Sequence, residues 1–177
     1  MERIVSLGAR SYPLYIERGA LRCLSPRVNL ARKVLLVTDE GVPESLRALV
    51  LSQCGQGFAE VLPMGEDSKS FSACERLCAR MLRENFTRKD LVLALGGGVI
   101  GDLAGFAASI YMRGIDFVNL PTTTLSQIDS SVGGKTAINF CGVKNIVGAF
   151  HQPRAVFLDA DALASLPERH FVNGLAE

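Results

Sequence analysis

The stretch from Pro121 to Asn145, PTTTLSQIDSSVGGKTAINFCGVKN, gathers groups that hold anions. It carries Thr122, Thr123, Asp129, Lys135, Lys144 and Asn145, with Gly133 and Gly134 side by side. Ammonium groups set among glycines and hydroxyls are suited to phosphate. Upstream lies a second phosphate-type signal, Gly96-Gly97-Gly98-Val99-Ile100-Gly101-Asp102. A glycine-rich loop followed by a cationic one suggests a phosphorylated cofactor and a phosphorylated substrate in one cleft.

Each signal has a plainer reading beside it. Gly96-x-Gly98-x-x-Gly101 matches the dinucleotide fingerprint, where bare amides and a helix N-terminus meet a pyrophosphate; the alternative is a tight strand-to-helix turn. The fingerprint's acid should follow at the end of a strand. Here Asp116 opens a strand instead, so Asp39, closing an earlier strand, is the better partner for a nucleoside. Gly134-Lys135-Thr136 looks like the tail of a P-loop, but Asp129 occupies the place of its leading glycine, and a carboxylate there repels phosphate. Lys135 and Lys144 are either solvated surface charges or anion ligands, and their glycine-rich setting beside Asn145 favours the second. Gly65-Glu66-Asp67-Ser68-Lys69 is either a polar surface turn or part of a site. The histidines, His151 and His170, make no cluster with metal-ligand spacing.

These residues must be positioned by strands and helices. Residues 3–17 read as a hairpin about Gly8-Ala9-Arg10. Lys33–Thr38, Gly57–Leu62, Leu91–Leu95, Ile115–Leu120 and Ala155–Leu158 read as strands. Helices are predicted over Glu44–Ser52, over Phe71–Asn85 with Ser70 as N-cap, from about Asp102 to Tyr111, and from near Pro167. Continuous apolar strands alternating with helices imply an α/β fold, a Rossmann-like and mostly parallel sheet with helices on both faces, preceded by the N-terminal β-hairpin. Asp39, Gly96–Gly98 and Thr122–Thr123 then share the carboxyl edge of that sheet. The segment 121–145 is read as loop.

The 177 residues include 19 basic and 18 acidic ones, a net charge of +1, with 48% hydrophobic residues. That balance gives no argument for nucleic acid or a membrane surface. No apolar run reaches the roughly 20 residues of a membrane span, and the N-terminus has no signal-peptide core. Five cysteines without a CxxC pair read as reduced thiols of a cytoplasmic protein. Residues 167–177 read as a helix still in progress with no closing signal: either a frayed terminus or, the favoured reading, a truncated chain or excised domain.

Taken in order, the motifs resemble the 3-dehydroquinate synthase family. Gly65–Lys69 is similar to its GExxK, Asp90–Phe106 to its glycine-rich D-x-x-x-A-x-GGG-x-x-GD-x-x-GF, and Arg113–Phe150 to RG-x-x-F-x-x-x-PTT, DSS-x-GGK and KN-x-x-G-x-F. The closing Gly174–Glu177 is similar to GLAE. The resemblance implies an NAD-binding α/β domain over 1–166 and, from 167, the start of an α-helical domain. Asp39, Glu66, Lys69, Gly97, Gly98, Val99, Gly101, Asp102, Thr122, Thr123, Lys135, Lys144 and Ser165 would surround NAD. Asp129, Lys135, Lys144 and Asn145 would act on the sugar phosphate, and Arg113 would reach the site of the other protomer of a homodimer. Glu177 would be the first ligand of a zinc or cobalt ion, with two histidines outside this sequence. The implied reaction turns 3-deoxy-D-arabino-heptulosonate 7-phosphate into 3-dehydroquinate and phosphate, in aromatic amino acid biosynthesis.

Gly41 stands where the family often has Asn, Thr124 where it has Leu, Ser165 where it has Thr, and Phe140-Cys141 where it has His-Pro. None of these removes a charge. Other readings are a related sugar-phosphate cyclase or glycerol-dehydrogenase-like enzyme, and a non-catalytic NAD-binding module.

Overall fold

The computed structural model describes residues 1–176. Its main sheet has seven strands. The hairpin β1 (Glu2–Val5) and β2 (Tyr12–Ile16) is antiparallel, turning through a short 3-10 segment at Gly8–Arg10. The remaining strands, β3 (Lys33–Asp39), β4 (Gln56–Leu62), β5 (Leu91–Gly96), β6 (Asp116–Pro121) and β9 (Val156–Leu158), are parallel. The order is β1-β2-β9-β6-β5-β3-β4. Chain direction reverses its march between β3 and β5, the switch point at which open α/β sheets bind ligands.

Alternation explains why the central strands are apolar throughout. Leu35, Val37, Val92 and Ala94 pack with Leu77 and Met81 of α2 (Phe71–Arg83) and Leu103 and Ala107 of α3 (Gly98–Ile110). Val34, Leu36, Leu91, Leu93 and Leu95 face the other way, onto Leu21, Leu24 and Val50, the last from α1 (Glu44–Leu51). With both faces covered, each of these strands reads as one hydrophobic run. Helix α2 opens where expected, its Ser70 hydroxyl accepting the Ala73 N–H at 3.3 Å.

Two expectations are corrected. Helix α3 begins at Gly98, a full turn before Asp102. Glycine's low helix propensity hides that turn in the sequence, but packing decides it. A Cβ at Gly101 would lie 3.2 Å from the Asn119 amide, and one at Gly105 2.5 Å from Thr136 Cγ2. The segment read as loop is instead a π-helical turn (Ser126–Ser130) and a two-stranded sheet of β7 (Lys135–Phe140) and β8 (Val143–Phe150). That hairpin lies over α3 and sends Ile138 into the core. Its turn, Cys141-Gly142, has φ of 50° and 77°. Two positive φ values make a type I′ turn, whose usual sequence is Asn-Gly or Asp-Gly. Cysteine at the first position conceals it.

Candidate active site

The carboxyl ends of β3, β4, β5 and β6 open onto one groove of about 340 Å³, which the chain after β9 completes. β3 contributes Asp39 and Gly41, β4 leads to Met64 and Gly65, β5 to Gly97–Val99, β6 to Thr122 and Thr123, and β9 reaches Ser165 through a 3-10 turn. The groove's backbone is bare where a ligand would press closest. A Cβ on Gly97 would stand 3.1 Å from Thr123 Cγ2, and one on Gly98 3.0 Å from Ser130 Oγ. The first N–H groups of α3 have no partner within the helix and carry its positive end. Thr123 and Ser126 brace the opposite wall through a 2.7 Å hydroxyl pair. Asp39 Oδ1 accepts the Gly41 N–H at 2.8 Å. Burial raises the Asp39 pKa, against the pull of the Gly41 and Val42 amides. This combination of bare amides, a helix N-terminus and one carboxylate fits a dinucleotide.

A second cavity, of about 500 Å³, adjoins it. Asp129, Lys135 and Asn145 line it with Asp102. The first turn of α3 separates the two spaces: Gly98 and Val99 face the groove, and Asp102 faces the cavity. Lys135 is exposed, and among the described residues neither it nor Lys144 is ion-paired. The Lys135 ammonium is therefore available to an anion in that cavity.

Behind the cavity sits a buried cation. Lys69 is 4% exposed, and its Nζ donates to Asp102 Oδ2 at 2.5 Å and to Asn145 Oδ1. A lysine is buried only when paired. Gly65–Lys69 is thus no ordinary surface turn. Burial raises the Asp102 pKa; the Lys69 ammonium opposes this and the Glu66 carboxylate adds to it. Glu66 Oε1 accepts from Asn139 Nδ2 at 2.8 Å.

Other residues of these motifs lie elsewhere. Gly101 packs against Asn119 of β6, as the third glycine of a fingerprint does. Lys144 is exposed beside Asn145 but lines neither cavity. Arg113 is exposed past the far end of α3, roughly 20 Å along the helix from Gly98. Glu177 lies outside the described residues. Asp116, rejected as a ribose partner, holds Arg32 at 2.9 Å and Arg154 at 2.6 Å. His151 bonds the Ile115 carbonyl and stacks on Phe117.

Several further residues of the site carry little or no signal in the sequence. His170 and Met64 line the groove; nothing in their spacing marks them. Tyr12 and Gln152 hold the turn that presents Lys135. Gly133 N–H donates to the Tyr12 hydroxyl at 3.1 Å, and Gln152 Nε2 donates to Gly133 O at 3.1 Å. Asn139 could have been found: on β7 it shares the face of Lys135 by alternation, once the strand itself is seen.

The family model of the 3-dehydroquinate synthase N-terminal region matches residues 59–173. The 3-dehydroquinate synthase of Alkaliphilus metalliredigens is 47% identical over all of this chain and 51% of its own length. The chain spans about half the length of the curated relatives it matches. Among solved structures, a 2-deoxy-scyllo-inosose synthase complexed with carbaglucose-6-phosphate, NAD+ and Co2+ superposes with a TM-score of 0.91 at 27% identity, over 99% of this chain and 50% of its own. A 2-epi-5-epi-valiolone synthase from Streptomyces hygroscopicus subsp. jinggangensis, with NAD+ and Zn2+ bound, gives 0.85 at 32%, over 98% and 50%.

Proposed function

The chain belongs to the 3-dehydroquinate synthase family, and on that premise we propose that it supplies the NAD-binding half of an enzyme that converts 3-deoxy-D-arabino-heptulosonate 7-phosphate to 3-dehydroquinate and phosphate. The observation that carries the reading is the sharing of one helix turn by a glycine-lined groove and a cavity holding Asp129, Lys135 and Asn145. Hydride transfer to and from a ring alcohol needs that adjacency.

Asp39, Gly97, Gly98, Val99, Thr122, Thr123 and Ser165 would hold NAD, which supplies reversible oxidation of the sugar alcohol when bound. Lys135 neutralises and orients the departing phosphate, and Asn145 donates to its oxygens; Asp129 accepts from sugar hydroxyls. These are positioning and electrostatic contributions. Arg113, remote from its own cavity, serves the neighbouring protomer of a homodimer. A zinc or cobalt ion would take Glu177; among the described residues no group of three His, Cys, Asp or Glu converges. Residues 1–166 would form the nucleotide domain and those from 167 onward would open a helical one; the chain spans about half the length of its relatives, and this half on its own is expected to bind NAD without turnover. No described helix is long and apolar enough to cross a membrane; a biosynthetic role places the enzyme in the cytoplasm. A related sugar-phosphate cyclase is the second reading, supported by the 0.91 superposition.

Calorimetric titration with NAD tests the groove. Saturable binding is expected, and Gly98→Val, whose side chain presses on Ser130 and so displaces the first turn of α3, should weaken it at least ~10-fold. Equal binding by the variant would remove the groove from the account.

A further inference from the structure

We propose that Asn139 is a positioning residue that couples the cofactor groove to the sugar-phosphate cavity; this rests on the reading of those two spaces given above. Three bonds carry the proposal. The Asn139 side chain donates through Nδ2 to Glu66 Oε1 at 2.8 Å and accepts through Oδ1 from the Asn145 N–H at 2.9 Å. Its own backbone N–H donates to the Lys69 carbonyl at 2.9 Å. One residue of β7 thus holds both ends of the Glu66–Lys69 turn and the backbone of Asn145.

The residue type is dictated. A carboxylate can only accept and a backbone N–H can only donate, so an amide in this one orientation satisfies both. Aspartate would set two carboxylates face to face, and an aliphatic residue would satisfy neither. Asn145 has φ of 55°, a left-handed conformation that asparagine tolerates and that the Asn139 bond holds in place. From there the Asn145 side-chain Oδ1 accepts from the buried Lys69 ammonium, which also grips Asp102 on α3. The ring Glu66–Asn139–Asn145–Lys69 therefore makes any displacement at the GExxK-like turn felt at a residue lining the cavity.

The test uses the gene product that carries this chain. NAD affinity is measured with and without a phosphonate analogue of the sugar phosphate, whose P–C bond cannot release phosphate. In the unaltered enzyme the analogue should tighten NAD binding at least ~5-fold. Asn139→Ala should bring that factor to within ~2-fold of unity and lower kcat/KM ~10-fold or more, with thermal stability retained. Asn139→Asp should lose the coupling in the same way. The double variant Glu66→Gln with Asn139→Asp reverses the polarity of the pair and should regain at least half of the factor lost. Coupling unchanged in Asn139→Ala, or lost equally in Asn139→Asp with and without Glu66→Gln, would overturn the proposal. If Asn139→Ala does not fold, the Asp pair decides alone. Failure of the unaltered enzyme to bind NAD or the analogue would instead strike the functional reading.

Discussion

Lys69 and Asp116 show two ways in which a charge is kept inside this protein. Lys69 is almost wholly enclosed and depends on Asp102 and Asn145. Lys69→Met removes one partner of a buried pair and leaves Asp102 uncompensated. It should cost ~3 kcal/mol of stability in urea unfolding and push the Asp102 carboxyl still higher, since Lys69 is what holds it down. Asp116 sits between Arg154 and Arg32 at the opposite edge of the sheet. Burial alone would raise its pKa, but the two guanidinium groups outweigh burial and lower it. A lowered folded-state pKa means that the stabilisation is present above the unfolded value, about 3.9 for aspartate, and is lost as pH falls through the folded value. Asp116→Asn should therefore cost ~1 kcal/mol at neutral pH. Its unfolding curve should converge with that of the unaltered chain as pH falls through the lowered folded-state value. A constant difference at all pH values would mean that packing, not charge, is the contribution.

At the scale of elements, the β7–β8 hairpin organises the cavity. It carries Lys135, Asn139 and Asn145, and Tyr12 of β2 reaches across to fix its entry. Tyr12→Phe deletes the acceptor for the Gly133 N–H and loosens the turn before Lys135. KM for the sugar phosphate should rise several-fold in steady-state kinetics while NAD affinity stays unchanged; a matching loss of NAD affinity would contradict this division of labour. Cys141→Asn puts the preferred residue at a left-handed turn position and should raise stability by a few tenths of a kcal/mol. The hairpin is also where the sequence was hardest to read. The parallel strands announce themselves because both faces are buried, and the N-cap at Ser70 and the glycine loop are local signals. β8 is mostly exposed and its turn lacks asparagine, so it has neither an apolar run nor a turn signature. The partners of Lys69 were invisible for another reason: Asp102 and Asn145 meet it only through the fold, 33 and 76 residues away.

Across the whole molecule, five parallel strands point one edge at the groove, and the first turn of α3 joins that groove to the cavity beside it. Asp39, Gly97, Gly98, Thr122, Thr123 and Ser165 line the groove, and Asp129, Lys135 and Asn145 the cavity. Arg113 stands apart on the far side, a position that suits a contribution to another protomer. The central claim is that the two spaces serve one reaction on a sugar phosphate. Release of inorganic phosphate from 3-deoxy-D-arabino-heptulosonate 7-phosphate by the gene product carrying this chain, assayed with and without NAD, tests it most directly. NAD-dependent release is expected, falling at least ~100-fold in Lys135→Ala. Oxidation of a simple alcohol such as glycerol with no phosphate released would contradict it.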